Sequence, residues 1–317
     1  MSKPIRVGTR ASQLALRQTH LIVDLLRAAR PGLEFELVEI TTHGDRFQDT
    51  PITGMGEQID RGIFNTALEE AVQRGEVDFA TCSFKDVESQ LPAGVVATSV
   101  GRREDHRDVL VSKHEQPLHA LPRGAILATS SPRRISQLRA FRPDFRFEPL
   151  RGNVTTRAGK DRERFDGVIL AAAGLLRLDL SDRIAQFVPE DILLPAPAQA
   201  AMGCEFSAQR ADIADLIAAI QDPPTEICVR LEKELLARLS GGCFAPVGIL
   251  ARIVHGRLHL RCRIVSLNGQ DRVEDSVAGD LAAGPALVAS LCDKLTAAGG
   301  QEIIRRTRES LQTRASG

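Results

Sequence analysis

The chain has 317 residues, enough for two or three domains rather than one compact core. An apolar share of 43% and a charged share of 26% exclude a disordered or collagen-like chain. Forty-one basic side chains balance forty-one acidic ones, so bulk charge calls for neither nucleic acid nor a membrane. No apolar run reaches the roughly 18 residues of a membrane span.

Ile5 and Val7 predict a strand that ends at Gly8-Thr9-Arg10. Ser12 is placed to cap a helix whose apolar positions Leu14, Leu21, Ile22, Leu25 and Leu26 keep helical spacing, and Pro31-Gly32 stops it. Leu33, Phe35 and Leu37 alternate as a strand does. Ile63, Phe64, Ala67, Leu68, Ala71 and Val72 predict a second helix, followed by a strand over 77–82. This order predicts a mainly parallel sheet with helices on both faces and ligands at the carboxyl ends of its strands. The pattern restarts near 105, with strands over 125–129, 146–150 and 167–172 and a helix over 132–142. Pro195 and Pro197 read as a crossing back to the first domain. Pro223-Pro224 opens a long helix to Ser240 that Gly241-Gly242 ends, and strands over 246–254, 257–266 and 272–278 lead to a helix near 284–298. The expected domains are 1–101 plus 200–218 (α/β), 105–195 (α/β) and 223–317 (small α+β).

Residues Met1 to Arg6 carry no apolar signal core, so a cytoplasmic location is expected. The six cysteines form no CxxC pair, which argues against zinc, and no metal is expected. Five of them are expected to be buried small hydrophobes. Cys243 differs: it sits in Ser240-Gly241-Gly242-Cys243-Phe244, on a glycine turn after a helix, where a thiolate can act as a nucleophile.

There are 35 arginines and 6 lysines. Genome composition explains such a ratio; so does a need for the fixed guanidinium fork that grips carboxylates. Between 133 and 164 nine arginines and Lys160 face only four acids. Arg133 and Arg134 follow Thr129-Ser130-Ser131 at a strand-to-helix turn, and Arg151 opens Arg151-Gly152-Asn153 after a strand. That position suits a polyanion site, although a solvated basic face has the same composition. With no Tyr or Trp and 12 Phe, the chain lacks the stacking platforms expected of a nucleic-acid binder. Lys85 and Asp86 stand together at the end of the 77–82 strand. They read either as a surface pair or as a carboxylate set to stabilise a developing cation.

Seven strings in order over nearly the whole chain resemble the porphobilinogen deaminase (hydroxymethylbilane synthase) family. They are Gly8-Thr9-Arg10-Ala11-Ser12-Gln13-Leu14-Ala15-Leu16, Thr41-Thr42-His43-Gly44-Asp45, Ser83-Phe84-Lys85-Asp86 and Arg103-Glu104-Asp105-His106-Arg107-Asp108. Thr129-Ser130-Ser131-Pro132-Arg133-Arg134, Leu150-Arg151-Gly152-Asn153-Val154 and Gly241-Gly242-Cys243 complete them.

The resemblance implies two periplasmic-binding-protein-like doubly wound α/β domains and a small α+β C-terminal domain. It implies a dipyrromethane cofactor joined by a thioether to Cys243. It also implies the condensation of four porphobilinogens into a linear tetrapyrrole with loss of ammonia. Asp86 matches the family's catalytic aspartate and Lys85 its neighbour in catalysis. Arg10, Ser12, Ser83, Thr129, Ser131, Arg133, Arg134, Arg151, Gly152, Arg157 and Arg177 match positions that hold the pyrrole acetates and propionates. The expected partner is the small-molecule substrate alone, and the expected state a monomer. A non-catalytic polycarboxylate-binding protein is the rival reading. Departures from the family pattern are Cys82 for a usual His, Glu88 for a usual Pro, Thr66 for a common Lys, and an insertion at Glu57-Gln58-Ile59-Asp60. Ala198 and Ala200 flank Gln199 where glycines are common, at a crossing where positive φ is expected.

Overall fold

A computed structural model of the chain describes residues 3–41, 66–88, 90–150, 152–159, 164–240 and 245–316. Cys243, Arg151, the Gly241-Gly242 helix stop, the 57–60 insertion, Ile63, Phe64 and most of the Thr41–Asp45 string lie outside the described residues.

Three sheets organise the chain. The first has the order β2 (Phe35–Glu39), β1 (Ile5–Thr9), β3 (Phe79–Ser83), β10 (Met202–Ser207) and β4 (Val95–Val100). The second has the order β7 (Arg146–Glu148), β6 (Ile126–Ala128), β8 (Gly167–Ala171), β5 (Asp108–Ser112) and β9 (Gln186–Phe187). In each, the predicted parallel trio forms and one strand runs against it. These are β10, antiparallel to β3 and β4, and β5, antiparallel to β8 and β9. Both antiparallel strands begin where the chain crosses between sheets, a long-range arrangement that local periodicity does not carry.

Strand alternation decides which helix covers which face. Val7 and Phe79 pack under α1 (Gln13–Ala29), while Ala80, next along β3, packs under α2 (Thr66–Gln73). In the second sheet Leu110, Leu127 and Ile169 meet α3 (Pro132–Phe141) through Leu138. Val109, Val111, Val168 and Leu170 meet α4 (Val154–Gly159) and α5 (Ala172–Arg177) on the opposite face. The helix α6 (Ala211–Ala218) joins α1 beneath the first sheet. The third sheet, β11 (Val247–Val254), β12 (Arg257–Val265) and β13 (Arg272–Asp280), is an antiparallel meander. Its apolar face is closed by α7 (Pro223–Ser240), α8 (Gly284–Ala297) and the terminal α9 (Gly300–Ser316), the last not anticipated from sequence. The expected class, two doubly wound α/β layers and a small α+β layer, is the one adopted. Among the described residues no single helix is long and apolar enough to cross a membrane. Cys82, Cys204, Cys228 and Cys262 are buried as expected, and Cys292 is only half-buried.

The crossing at 198–200 is held from several sides. Glu232 of α7 is fully buried and accepts the Ala198 amide, while Arg103 forks onto it at 2.7 and 3.1 Å. Arg103 also bonds the Gln199 carbonyl at 2.9 Å, and Arg177 the Ala200 carbonyl at 2.6 Å. Ala198 has φ 58° and Ala200 φ 74°, the left-handed conformation expected of glycine at these positions. An L-residue there costs about 1–2 kcal/mol, against the 0.5–1 kcal/mol of extra chain entropy that a glycine loses on folding. Ala200→Gly should therefore raise stability by roughly 0.5 kcal/mol, read as a higher denaturant midpoint with unchanged m. A lower midpoint would mean that the methyl packing outweighs the backbone strain.

His106, on the other crossing, meets Glu190 through Nε2 at 2.7 Å, and Arg252 of β11 pairs with the same Glu190. Burial, with Arg103 and Arg252 nearby, pushes the imidazole down to about 4. In the unfolded chain it titrates near 6.5, so on acidification the unfolded state takes up the proton first. Stability contributed here, on the order of 3 kcal/mol, is present above pH 6.5 and lost as pH falls towards 4. His106→Gln should flatten the stability curve between those values. An unchanged slope would show that other groups dominate it.

Candidate functional site

The carboxyl edges of the first two sheets supply the candidate residues. β1 ends in Thr9, and Arg10 follows. Ser12 then caps α1, its hydroxyl accepting the Ala15 amide at 3.3 Å. A buried threonine trio fixes this helix to its sheet: Thr19 meets Thr9 at 2.7 Å and Thr81 at 2.7 Å. One residue earlier, Gln18 bonds Ser83 at 3.1 Å, so Ser83 is tied to α1 at the mouth of β3.

Ser83 leads into a single 3₁₀ turn, Phe84–Asp86. Phe84 is buried against Gly203, where a Cβ would approach the ring to 2.5 Å; only a glycine permits that contact. Lys233 of α7 donates to the carbonyls of Lys85 at 3.0 Å and Val87 at 2.5 Å, which fixes the turn from below. Lys85 and Asp86 are held half-buried at the sheet edge. Burial pushes the Lys85 ammonium down; Asp86 and Asp108 oppose that, and Arg134 and Arg133 add to it.

Those arginines lie in the first turn of α3. Thr129 is buried and its hydroxyl accepts the Ser131 amide at 3.2 Å; Ser131 is the N-cap, with no side-chain capping bond. Arg133 and Arg134 both grip Asp108, at 2.7 Å each, and Asp108 is fully buried at the start of β5. Burial would raise that carboxyl, but the two guanidiniums outweigh it and hold it far below the usual range. Arg133 is itself 4% exposed and spends its NH1 on Asp108 and the Leu194 carbonyl. It is built into the crossing. Arg134 adds the Ile169 carbonyl at 2.9 Å and is the more open of the two.

Gln199 reaches the same acid. Its amide nitrogen donates to the His106 carbonyl at 2.8 Å and to Asp108 at 3.3 Å, leaving its buried Oε1 with no partner among the described residues. Arg177 is buried and pairs with Glu104 at 3.1 Å. Gly152 has φ 106°, in the left-handed half of the map that favours glycine. Arg157 lies in the last turn of α4.

The structure thus brings Arg133, Arg134 and Gln199 together on Asp108, with Arg177 bound to the adjoining crossing. Asp108, Gln199, Lys233 and Gln18 were assigned no role from sequence. Asp108 closes one of the quoted strings and Gln199 stands between Ala198 and Ala200, but their side-chain partners lie 25 or more residues away. Arg133 is committed to Asp108, so the half-buried Lys85 and Arg134 are the more open cations here, and the Gln199 side-chain oxygen adds an acceptor. This donor set fits an anionic, hydrogen-bonding group such as a carboxylate-bearing dipyrrole.

Two α/β sheets with charged and hydrogen-bonding side chains at their strand ends define a two-layered α/β protein. Residues 5–215 match the family model described as porphobilinogen deaminase, dipyromethane cofactor binding domain, and residues 226–297 match porphobilinogen deaminase, C-terminal domain. The chain belongs to the porphobilinogen deaminase family. Similar relatives carrying that name come from Roseiflexus castenholzii (42% identical, covering 96% of this chain and 99% of that one) and Pelotomaculum thermopropionicum (39%, covering 98% of both). Among solved structures, the VFT2 domain of Bordetella pertussis BvgS (a double mutant) matches with TM-score 0.42 at 15% identity, over 68% of this chain and 85% of that one. The aliphatic sulphonate binding protein SsuA of Escherichia coli matches with TM-score 0.39 at 13%, over 75% and 70%.

Proposed function

We propose that the chain is a porphobilinogen deaminase, condensing four porphobilinogens and one water into hydroxymethylbilane with loss of four ammonia molecules. The reading is carried by the Lys85–Asp86 turn standing within electrostatic reach of Arg133, Arg134 and Asp108, in a chain of this family. The domains are read as 1–101 plus 200–218, 105–195 and 223–317. A covalent dipyrromethane on Cys243 supplies the nucleophilic pyrrole carbon that starts the chain. Arg10, Ser12, Ser83, Thr129, Ser131, Arg134, Arg151, Gly152, Arg157 and Arg177 are the residues proposed to hold its carboxylates. Arg133 acts with them by securing Asp108.

In each cycle the C–N bond of the substrate aminomethyl group breaks, ammonia leaves, and positive charge spreads over the substrate pyrrole. Asp86 stabilises that charge as a fixed carboxylate in a partly desolvated site. A new carbon–carbon bond then forms at the substrate methylene carbon that lost ammonia, and the attacking pyrrole carbon gives up its proton to water. Lys85, whose ammonium is compact and mobile, orients a substrate carboxylate beside Asp86. The protein is further read as a cytoplasmic monomer acting on the small molecule alone, without nucleic acid or membrane.

The arginines provide the test. Arg134→Lys cannot reproduce a bidentate fork, so porphobilinogen turnover should fall about 10-fold or more. Arg164, 70% exposed, ion-paired with Glu148 at 3.2 Å and stacked 4.9 Å from the Phe165 ring centre, is the neutral comparison as Arg164→Lys. Arg142, the C-cap of α3, is not one. It donates to the carbonyls of Leu118 at 3.1 Å and Leu121 at 2.9 Å and to Asp144 at 2.6 Å. Arg142→Lys should lower stability by about 1–2 kcal/mol while leaving turnover intact. Equal turnover in the Arg134 and Arg164 variants would sink the carboxylate assignment.

A further inference from the structure

Arg263 of β12 is among the largest side chains fully shut away from water, at 2% exposure. A buried guanidinium is retained only where its donors are bonded. Nε and NH2 fork onto Glu274 of β13 at 2.7 and 3.2 Å. Glu274 does not depend on this arginine, because Arg261 at 2.7 Å and Arg272 at 2.5 Å bond it as well. The remaining contact leaves the sheet. NH1 donates to the Gln137 side-chain oxygen on α3 at 3.0 Å. Gln137, itself buried, clasps Leu194 at both main-chain groups, at 2.8 and 3.2 Å, and the Leu194 carbonyl also accepts from Arg133 at 2.8 Å.

Two glycines let the backbones meet around this link. A Cβ at Gly248 would lie 2.7 Å from the Leu194 carbonyl oxygen, and one at Gly269 would lie 2.6 Å from the Ala140 nitrogen. The third sheet is therefore seated along α3, and the first turn of α3 carries Arg133 and Arg134. β11 begins four residues after Cys243.

We infer that Arg263 is a positioning residue for the reaction: through Gln137 it sets the separation between the arginine-bearing turn of α3 and the strand that follows Cys243. The inference rests on the proposed roles of Cys243 and Arg134. Groups that must hold the same pyrrole chain at two points gain from a fixed separation, and a charged hydrogen bond fixes direction as well as distance.

The test uses the full-length purified protein with its pyrrole adduct, as wild type, Arg263→Met, Arg263→Lys and Arg272→Met. Arg272→Met removes the same charge from the same Glu274 without touching α3. Arg263→Met should lower kcat about 10-fold with KM for porphobilinogen within two-fold, and should speed hydrogen exchange at the 132–141 amides. Arg272→Met should match wild type in both. Arg263→Lys, which bonds Gln137 or Glu274 but cannot fork both, should recover part of kcat, and it carries the test should the methionine variant not fold. Wild-type kcat in Arg263→Met, or a loss equal to that of Arg272→Met, overturns the inference. A wild-type protein with neither adduct nor turnover would refute the proposed function instead. The exchange measurement then decides the mechanical link, and unchanged exchange across α3 overturns it.

Discussion

Asp86→Asn lowers the rate of tetrapyrrole formation by about 100-fold or more, the usual loss when a preorganised group facing a developing charge is removed. Asparagine keeps the size of the side chain and its hydrogen-bonding reach, so only the negative charge goes. The turn itself survives, because its backbone is fixed by Lys233 through the Lys85 and Val87 carbonyls and by the Ala201 carbonyl accepting the Phe84 amide at 3.0 Å. Unfolding midpoints of variant and wild type should agree, and porphobilinogen should still bind. Single-turnover measurements separate binding from chemistry. An unaltered chemical rate would remove Asp86 from the mechanism.

Cys243→Ser yields protein without the dipyrromethane and with no detectable turnover. Expressed in a host that makes porphobilinogen, the wild-type chain should carry a mass increment of two pyrrole units. Cys228→Ser is the matched comparison. Cys228 is buried in the core between α7 and the third sheet, and burial pushes its thiol up to about 11, so it offers little thiolate. That variant should keep the increment. A wild-type chain of unmodified mass, or an adduct that persists in Cys243→Ser, would move the attachment point elsewhere.

Much of the site was legible because its residues sit where local rules put them. Ser12 and Ser131 are helix caps, Lys85 and Asp86 follow a strand, and Arg133 and Arg134 follow a proline-opened helix start. The positive φ of Ala198 and Ala200 was expected on the same footing, from what a glycine position demands. What sequence did not give is the identity of the counter-charges. Asp108 meets Arg133 and Arg134 only because an antiparallel strand brings it to the sheet edge. Glu232 reaches Arg103 across 129 residues. The surroundings of Arg142 are long-range in the same way: the Phe141-Arg142-Pro143 end of α3 is covered by the 118–122 carbonyls. Local periodicity names the elements, and long-range pairing sets the charges of each one.

The placement of β10 also dictates an order of assembly. It hydrogen-bonds β3 on one side and β4 on the other, yet it is the last strand of the first sheet to be made. On a ribosome adding about 5–20 residues per second, β3 and β4 wait roughly 5–20 s for the strand that joins them. The second sheet is contiguous and closes within that interval. A nascent chain of some 200 residues thus holds a finished second layer beside a first layer with two unpaired strand edges, the kind of surface on which chains aggregate. Chaperone demand during synthesis should concentrate there, and truncations ending before residue 207 should be far less soluble than those ending after it.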